Sequence, residues 1–173
     1  MILGRGGAGK STLAQDLSRR IGVPAAELDA LFWRPGPNGP IPAEPAAWTA
    51  QQRELLQSSA WIIDGDLGPY DRDLGLRLHA ADTVIVLDVG FLRCAWRTLR
   101  RGREQAGYWR WVWFYRRRSL PVIEQAIAAG APYAAVYSLR TPAMVRRFLS
   151  EASAAESARA GGDQGGPGSA TPQ

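Results

Sequence analysis

The first residues of the chain have the types and spacing needed to bind phosphate. Residues 4–11 read GRGGAGKS and satisfy the pattern G-x-x-x-x-G-K-[ST]. Glycines let the backbone turn tightly enough for successive N–H groups to face phosphate oxygens, and a helix that begins at the lysine adds the positive end of its dipole. We therefore predict a cradle for a nucleoside triphosphate. Its predicted binding residues are Gly4, Gly6, Gly7, Ala8, Gly9, Lys10, Ser11 and Thr12.

Lys10 is the only lysine in a chain whose lysines and arginines total 21. A compact ammonium on a flexible stem fits between two phosphates, where a planar guanidinium does not. In this motif the lysine reaches the β- and γ-phosphates and the following hydroxyl binds Mg²⁺. The motif thus predicts ATP and Mg²⁺ as ligands, Lys10 as a catalytic residue and Ser11 as a metal ligand.

Three aspartates follow short apolar segments that we interpret as strands. Asp29 follows AEL, Asp64 follows WII and Asp88 follows VIVL. Ligands of a parallel sheet bind at the carboxyl ends of its strands, where such acids accept a proton or hold Mg²⁺. We predict Asp29 as the catalytic acid on the substrate side, Asp64 as a metal residue and Asp88 as a cap for the next helix. Taken singly, each is also compatible with a turn or a helix cap.

The elements that must position these residues alternate between short apolar strands and helices. This alternation predicts an α/β fold, a three-layer α/β/α sandwich around a five-stranded parallel sheet. The strands are expected near 1–3, 24–28, 61–63, 82–88 and 133–137, and helices near 10–21, 46–58, 74–79, 92–103, 107–129 and 142–152. Only three residues precede the glycines, so either the sheet tolerates a stub at its centre or the natural start codon lies upstream. The tail, 153–173, is predicted to be disordered because its last thirteen residues carry no large apolar side chain.

The charge of the chain is unevenly distributed. Between Arg93 and Arg118 there are nine arginines and one acid, Glu104, in a chain of net charge +5. Such a field attracts an anion: a polyphosphate, nucleic acid or an acidic membrane surface. It is also compatible with a solvated helix face. The aromatic residues of GYWRWVWFYRRR (107–118) fit a lid helix that packs on the core, stacking on a nucleobase, or nucleic-acid binding.

Composition narrows the cellular setting. Cys94 is the only cysteine, so it cannot form an intramolecular disulfide, and a reducing cytoplasm is the expected compartment. No apolar run approaches the roughly 20 residues that cross a bilayer. We expect a cytoplasmic protein without a membrane partner.

Six segments together resemble a known family. GRGGAGKSTLA, LDALFW, WIIDG, RLHAADTVIVLD, CAWRTLRR and VWFYRRRSLP occur in order and resemble the DNA topology modulation proteins, small adenylate-kinase-like members of the P-loop kinase group. The resemblance covers about residues 1–149. It implies a kinase-like domain over 1–152, with a substrate-binding insertion at about 30–60 and an arginine-rich lid at about 93–120. It also implies that Arg77 binds the anionic group of an acceptor, and that Arg97 and Arg101 clamp the transferring phosphate.

The chain departs from the family pattern at two places on the acceptor side. Asp66-Leu67 replaces a common Asn-Tyr pair, and only five residues separate Arg103 from Trp109, where the family carries a longer insert. We predict an ATP-dependent phosphotransferase that moves the γ-phosphoryl group to a small acceptor, a nucleotide or nucleoside among the candidates. The alternative is an ATP-binding regulator of DNA topology with little or no turnover. The expected assembly is a monomer or homodimer, with nucleic acid the less favoured partner.

Overall fold

The computed structural model describes residues 1–101 and 106–162, with side chains except at 69, 101, 106–108, 110–112 and 160–162. Its elements in chain order are β1 (Ile2–Gly4), α1 (Lys10–Ile21), β2 (Ala25–Glu27), α2 (Leu28–Phe32), β3 (Trp33–Arg34), β4 (Ile41–Pro42), α3 (Pro45–Leu56), β5 (Ile62–Asp64), α4 (Leu74–Ala80), β6 (Thr83–Leu87), α5 (Phe91–Arg101), α6 (Ala106–Gly130), β7 (Ala135–Leu139) and α7 (Pro142–Gly162).

Five strands form one parallel sheet in the order β2-β5-β1-β6-β7. The strand that leads into the glycine-rich loop is therefore central, and its neighbours are the strands that end at Asp64 and Leu87. Because every strand runs the same way, all five carboxyl ends open on one edge of the sheet. This arrangement confirms the predicted five-stranded parallel sheet.

Two apolar clusters sandwich the sheet. On one face Ile2, Ile85 and Leu139 pack with Leu13 and Leu17 of α1. On the other face, Leu3, Val84 and Val86 pack with residues of α4 and α6, among them Leu78, Tyr115, Ile123 and Ile127. Alternate residues of β1 and β6 thus point to opposite layers, as the period of a strand requires. The three-layer α/β/α sandwich is confirmed.

A third cluster holds the segment that follows β2. Leu28 and Phe32 of the short helix α2 pack with Trp48 of α3 and Ile63 of β5. The proline-rich stretch between α2 and α3, for which no strand was predicted, also carries the antiparallel pair β3–β4. Both additions were missed because five- and two-residue elements have no periodicity to read.

The last helix and the aromatic segment differ from, or add to, what the sequence predicts. Helix α7 continues to Gly162, so the first ten residues of the predicted disordered tail, 153–162, are helical, because the alanine-rich stretch after Ser153 is a good helix former. Residues 163–173 lie outside the described part of the chain. The aromatic and arginine segment is helical within α6, which runs through Pro121. Among the described residues, no helix combines the length and apolarity needed to span a bilayer.

Candidate functional site

The loop between β1 and α1 forms a cradle of backbone N–H groups. Gly7 and Gly9 have φ values of 74° and 99°, in the left-handed region, and Gly4 has φ 145°. Gly9 is the N-cap of α1 and brings no side-chain cap to the first turn, which leaves N–H groups of that turn available to an anion. Lys10 Nζ donates a hydrogen bond to the carbonyl oxygen of Gly4 at 2.9 Å. The geometry suits a bound phosphate chain.

Two of these glycines are also required by packing. A Cβ at Gly4 would lie 2.5 Å from the carbonyl oxygen of Leu87, and a Cβ at Gly7 would lie 2.7 Å from that of Cys94 and 2.6 Å from Thr98 Oγ1. The loop therefore rests directly on the end of β6 and on the buried face of α5. Any side chain at either position would push the loop away from these supports.

An acidic group lies beside the cradle. Glu27 and Asp64 are register partners at the ends of β2 and β5, and Ser11 Oγ donates to Glu27 Oε1 at 3.4 Å. The Asp64 side chain is buried, and its Oδ1 has no hydrogen-bond partner among the described residues. Burial raises the pKa of Asp64, while a hydrogen bond with Ser11 and the charge of Lys10 act in the opposite direction. Ser11 and Asp64 are thus brought together, as their predicted shared metal role requires.

These residues fit Mg²⁺ held mainly by a substrate. Within the described residues no cluster of three or more His, Cys, Asp or Glu side chains could hold a metal ion by itself. Mg²⁺ in nucleotide sites takes one or two protein oxygens, and phosphates and water supply the rest. The Ser11 hydroxyl and the unpartnered oxygen of Asp64 match that donor set.

Asp29 lies in the first turn of α2, just beyond the end of β2, and its side chain is exposed. Its charge helps to raise the pKa of Asp64, so the two carboxylates are close enough to interact. Asp29 therefore lies at the same edge as the cradle and is open to an incoming molecule. Its role as the catalytic acid stays a prediction.

Asp66 is a site residue that the sequence showed only as a departure from the family pattern. Its Oδ1 accepts from the backbone N–H of Gly68 at 3.3 Å, and its buried Oδ2 has no partner among the described residues. Burial raises the pKa of Asp66, and the charge of Lys10 opposes that rise. A carboxylate rather than an amide thus lies close enough to Lys10 of the cradle to interact with its charge.

Asp88 connects three arginines instead of capping a helix. Its carboxylate accepts from Arg116 Nε at 2.7 Å, and it lies 3.9 Å from Arg5 Nη2 and 3.7 Å from Arg140 Nε. The predicted cap is wrong because α5 begins only after Gly90, whose carbonyl accepts from the Cys94 N–H. Arg5, 1% exposed, also lies over the ring of Tyr115 on α6. Asp88 therefore links the loop, α6 and the end of β7.

The structure surrounds Arg77 with protein groups rather than open space. The residue is completely buried, its Nη2 contacts Asp71 Oδ1 at 2.6 Å, and its Nη1 donates to Gln52. Gln52 in turn donates to Asp73. This network ties α3 to α4, and the predicted role of Arg77 toward an acceptor stays a prediction.

Arg97 lies over the cradle, where the predicted clamp would be. Its Nη1 donates to the carbonyl oxygen of Ala8 at 3.1 Å, and a Cβ at Gly9 would approach it to 2.9 Å. A cavity of about 190 Å³ opens beside it. Its lining includes Gly9, Thr12, Arg93, Arg97, Pro142 and Arg146. Arg101 ends α5, and its side chain lies outside the described part.

Comparison with known proteins identifies the fold of the chain through its structure and not through its sequence. No family model and no curated protein matches the chain. Its structure is similar to shikimate kinase from Bacteroides thetaiotaomicron, with a TM-score of 0.52, 17% identity and coverage of 87% of this chain and 92% of that one. The fold is that of a P-loop kinase. A gluconokinase from Sinorhizobium meliloti 1021 also matches, with a TM-score of 0.47, 16% identity and coverage of 93% of each chain.

Proposed function

We propose that this P-loop kinase fold binds ATP with Mg²⁺ and transfers the γ-phosphoryl group to the hydroxyl of a small acceptor. The observation that carries the proposal is the cradle itself. Left-handed glycines, the uncapped start of α1 and the Lys10 ammonium converge on one volume, and the Glu27–Asp64 pair lies at its rim. Few ligands other than a metal-bound polyphosphate need all of these groups together.

The nucleotide is oriented by the two ends of the cradle. The phosphates occupy the N–H groups between Gly4 and Thr12, and the base lies in the cavity beside Arg97, whose lining also includes Pro142. A guanidinium plane and a proline ring are surfaces on which a nucleobase packs. The γ-phosphate then points toward β5 and β2, where Asp64, Glu27 and Asp29 lie.

Catalysis in this arrangement is positioning and charge stabilisation. The oxygen of the acceptor hydroxyl forms a bond to the γ-phosphorus, the bond to the bridging oxygen breaks, and ADP leaves. Asp29 accepts the hydroxyl proton, and Lys10 and Arg97 neutralise charge on the transferring group. Mg²⁺ bound at Ser11 and Asp64 would withdraw charge from the phosphate oxygens. The acceptor enters from the side of α2 and α3, the insertion after β2.

The test is an acceptor screen with purified full-length protein, ATP and Mg²⁺. Nucleosides, nucleoside monophosphates, sugars and hydroxy acids are supplied singly, and ADP is measured against a no-acceptor reaction and against Lys10→Met. The proposal expects at least one class to raise ADP formation well above both baselines. ADP at the no-acceptor rate with every class would contradict transfer, and calorimetry that detects no ATP uptake would remove the proposal altogether.

Two observations favour the second candidate, an ATP-binding regulator with little turnover. Arg77, the predicted acceptor residue, is occupied by Asp71 and Gln52, and Asp66 brings a negative charge where an anionic acceptor would enter. On this proposal the chain binds ATP and changes conformation without transfer, in line with its resemblance to DNA topology modulation proteins. ATP uptake in calorimetry without acceptor-dependent ADP is the expected pattern. Acceptor-dependent turnover contradicts it.

A further inference from the structure

Helix α5 has three distinct faces, of which the fold and the cradle use two. Cys94 and Thr98 are buried against the loop. Arg97 turns to the carbonyl of Ala8, and Arg93 lines the same small cavity. Successive helical residues are about 100° apart, so Leu92, Trp96 and Leu99, at i, i+4 and i+7, form a third face. That face has no role in the nucleotide site.

This third face is apolar and open. Leu92 is 82% exposed, Trp96 57% and Leu99 67%. A further exposed aromatic side chain lies at the start of α5: Trp113 of α6 is 61% exposed and packs edge-on against Phe91, with ring centroids 4.8 Å apart. Large apolar side chains that cluster at the surface mark a contact site, whereas single exposed ones do not.

The apolar face is bordered by positive charge. Arg100 lies over the Trp96 ring at 4.3 Å, and Arg116 and Arg117 stand three and four positions after Trp113. The segment from 93 to 118 carries nine arginines and one acid; of these, Arg93 and Arg97 turn to the cradle and Arg116 pairs with Asp88, and the segment as a whole is strongly positive. Two copies of this surface would repel each other, so self-association is disfavoured. Leu92 and Leu99 offer nothing to a nucleic acid, whose recognition uses stacking and phosphate contacts.

We propose that the open α5 face formed by Leu92, Trp96 and Leu99, with Trp113 of α6 near its start, docks on an anionic lipid membrane surface, contrary to the sequence expectation of no membrane partner. A helix that presents tryptophan and leucine on one side and arginine beside them is the form in which helices lie at the boundary between headgroups and acyl chains. The apolar side chains enter the acyl boundary, and the arginines contact the anionic headgroups. Arg97 and the cradle lie on another face of the helix, so the nucleotide site remains accessible.

The experiment is sedimentation of the full-length protein with vesicles of phosphatidylcholine alone or mixed with phosphatidylglycerol. The expected result is severalfold more protein pelleted with the anionic vesicles and release by added salt, because headgroup attraction is screened. The triple variant Leu92→Ser, Trp96→Ser, Leu99→Ser should lose most of this binding. A matched variant, Val122→Ser, Tyr133→Ser, Met144→Ser, removes three exposed apolar side chains outside α5 and should pellet like the wild type.

Circular dichroism and heat unfolding establish that both variants fold. Equal pelleting with neutral and anionic vesicles, no pelleting with either, or full binding by the α5 variant would each overturn the proposal. Size-exclusion chromatography at the same salt concentrations adds two outcomes. A wild-type dimer that only the α5 substitutions dissociate would instead assign the face to self-association, and a monomer is consistent with membrane docking.

Discussion

Lys10 Nζ donates a hydrogen bond to the carbonyl oxygen of Gly4, 2.9 Å away, so the only lysine of the chain is folded back over the start of its own loop. The ammonium therefore sits where the phosphate chain would lie. Its partner is a neutral carbonyl rather than an acid, which leaves its charge uncompensated by that contact. An incoming phosphate can take over this hydrogen bond and add charge-assisted strength.

Replacement of Lys10 by Arg or Met should remove ATP binding or turnover. The planar guanidinium is too wide for the gap between two phosphates, and methionine has no charge. Calorimetry with ATP and Mg²⁺ is expected to show at least a tenfold loss of affinity in both variants. Arg19→Gln, on an exposed part of α1, is the control and should bind like the wild type. Unchanged turnover in Lys10→Arg would refute the assignment.

Gly7 and Gly22 allow a matched test of packing behind the loop. Their φ values, 74° and 68°, are nearly equal, but a Cβ at Gly22 meets no atom within 4 Å. Gly22→Ala should lower the free energy of unfolding by about 1–2 kcal/mol, the cost of the left-handed backbone alone. Gly7→Ala adds overpacking against Cys94 and Thr98, about 1–3 kcal/mol more. Denaturant unfolding measures both, and equal losses would contradict the packing argument.

Arg77 should prove essential for stability. Arg77→Met leaves the buried Asp71 carboxylate, 3% exposed, without its cation, which should cost about 3–5 kcal/mol of unfolding free energy. The double variant Asp71→Asn, Arg77→Met should recover part of that loss, since no buried charge remains. Arg147→Ala, which removes an exposed pair with Glu151, should leave the melting temperature unchanged. A stable Arg77→Met protein would instead support a free arginine available to an acceptor.

Asp64 predicts a pH dependence of stability in the absence of nucleotide and Mg²⁺. Its pKa in the folded protein is raised above the ordinary value of 3.8, so the folded state holds this proton more tightly than the unfolded state. Asp64 therefore costs stability as pH rises above 3.8. Asp64→Asn should melt higher than the wild type at pH 7, and this advantage should shrink toward pH 3. An advantage independent of pH would contradict a raised pKa.

Arg97 and Arg100 separate the nucleotide face of α5 from its open face. Arg97→Ala removes a cation over the cradle and should weaken ATP binding about 10- to 100-fold, the value of a hydrogen bond to a charged group. Arg100→Ala, whose guanidinium lies on Trp96, should change ATP affinity less than twofold. ATP binding titrations with both variants provide the check. Similar losses of ATP affinity in the two variants would contradict the assignment of Arg97 and Arg100 to different faces of α5.

Features set by neighbouring residues could be predicted from the sequence, whereas contacts between residues far apart in the sequence could not. Gly7 and Gly9 adopt the left-handed backbone that the motif implies, because local chemistry dictates it. The ends of β5 and β6 could also be predicted, because the apolar segments WII and VIVL each end at an aspartate. The hydrogen bond from Ser11 to Glu27 was not predicted. It depends on the register of β2 with β5, which brings Glu27 beside Asp64 at the end of the sheet.

The arginines show the same limit more clearly. Arg5 and Arg77 are fully buried, yet the sequence does not distinguish them from exposed arginines such as Arg19. Their acidic partners, Asp88 and Asp71, are assigned by tertiary packing, and no spacing rule predicts it. The third face of α5 was hidden for a similar reason, because only the position of the loop reveals which side of the helix is left open.

The shared carboxylate of Asp88 makes the charge balance of three segments interdependent. If a bound phosphate recruits Arg116 or Arg140, Asp88 keeps fewer counter-ions and its attraction for Arg5, behind the loop, grows stronger. Nucleotide capture at the front of the loop would thus tighten the anchor at its back. The phosphate site and α6 would in this way be energetically coupled through a single side chain that never has to touch the substrate.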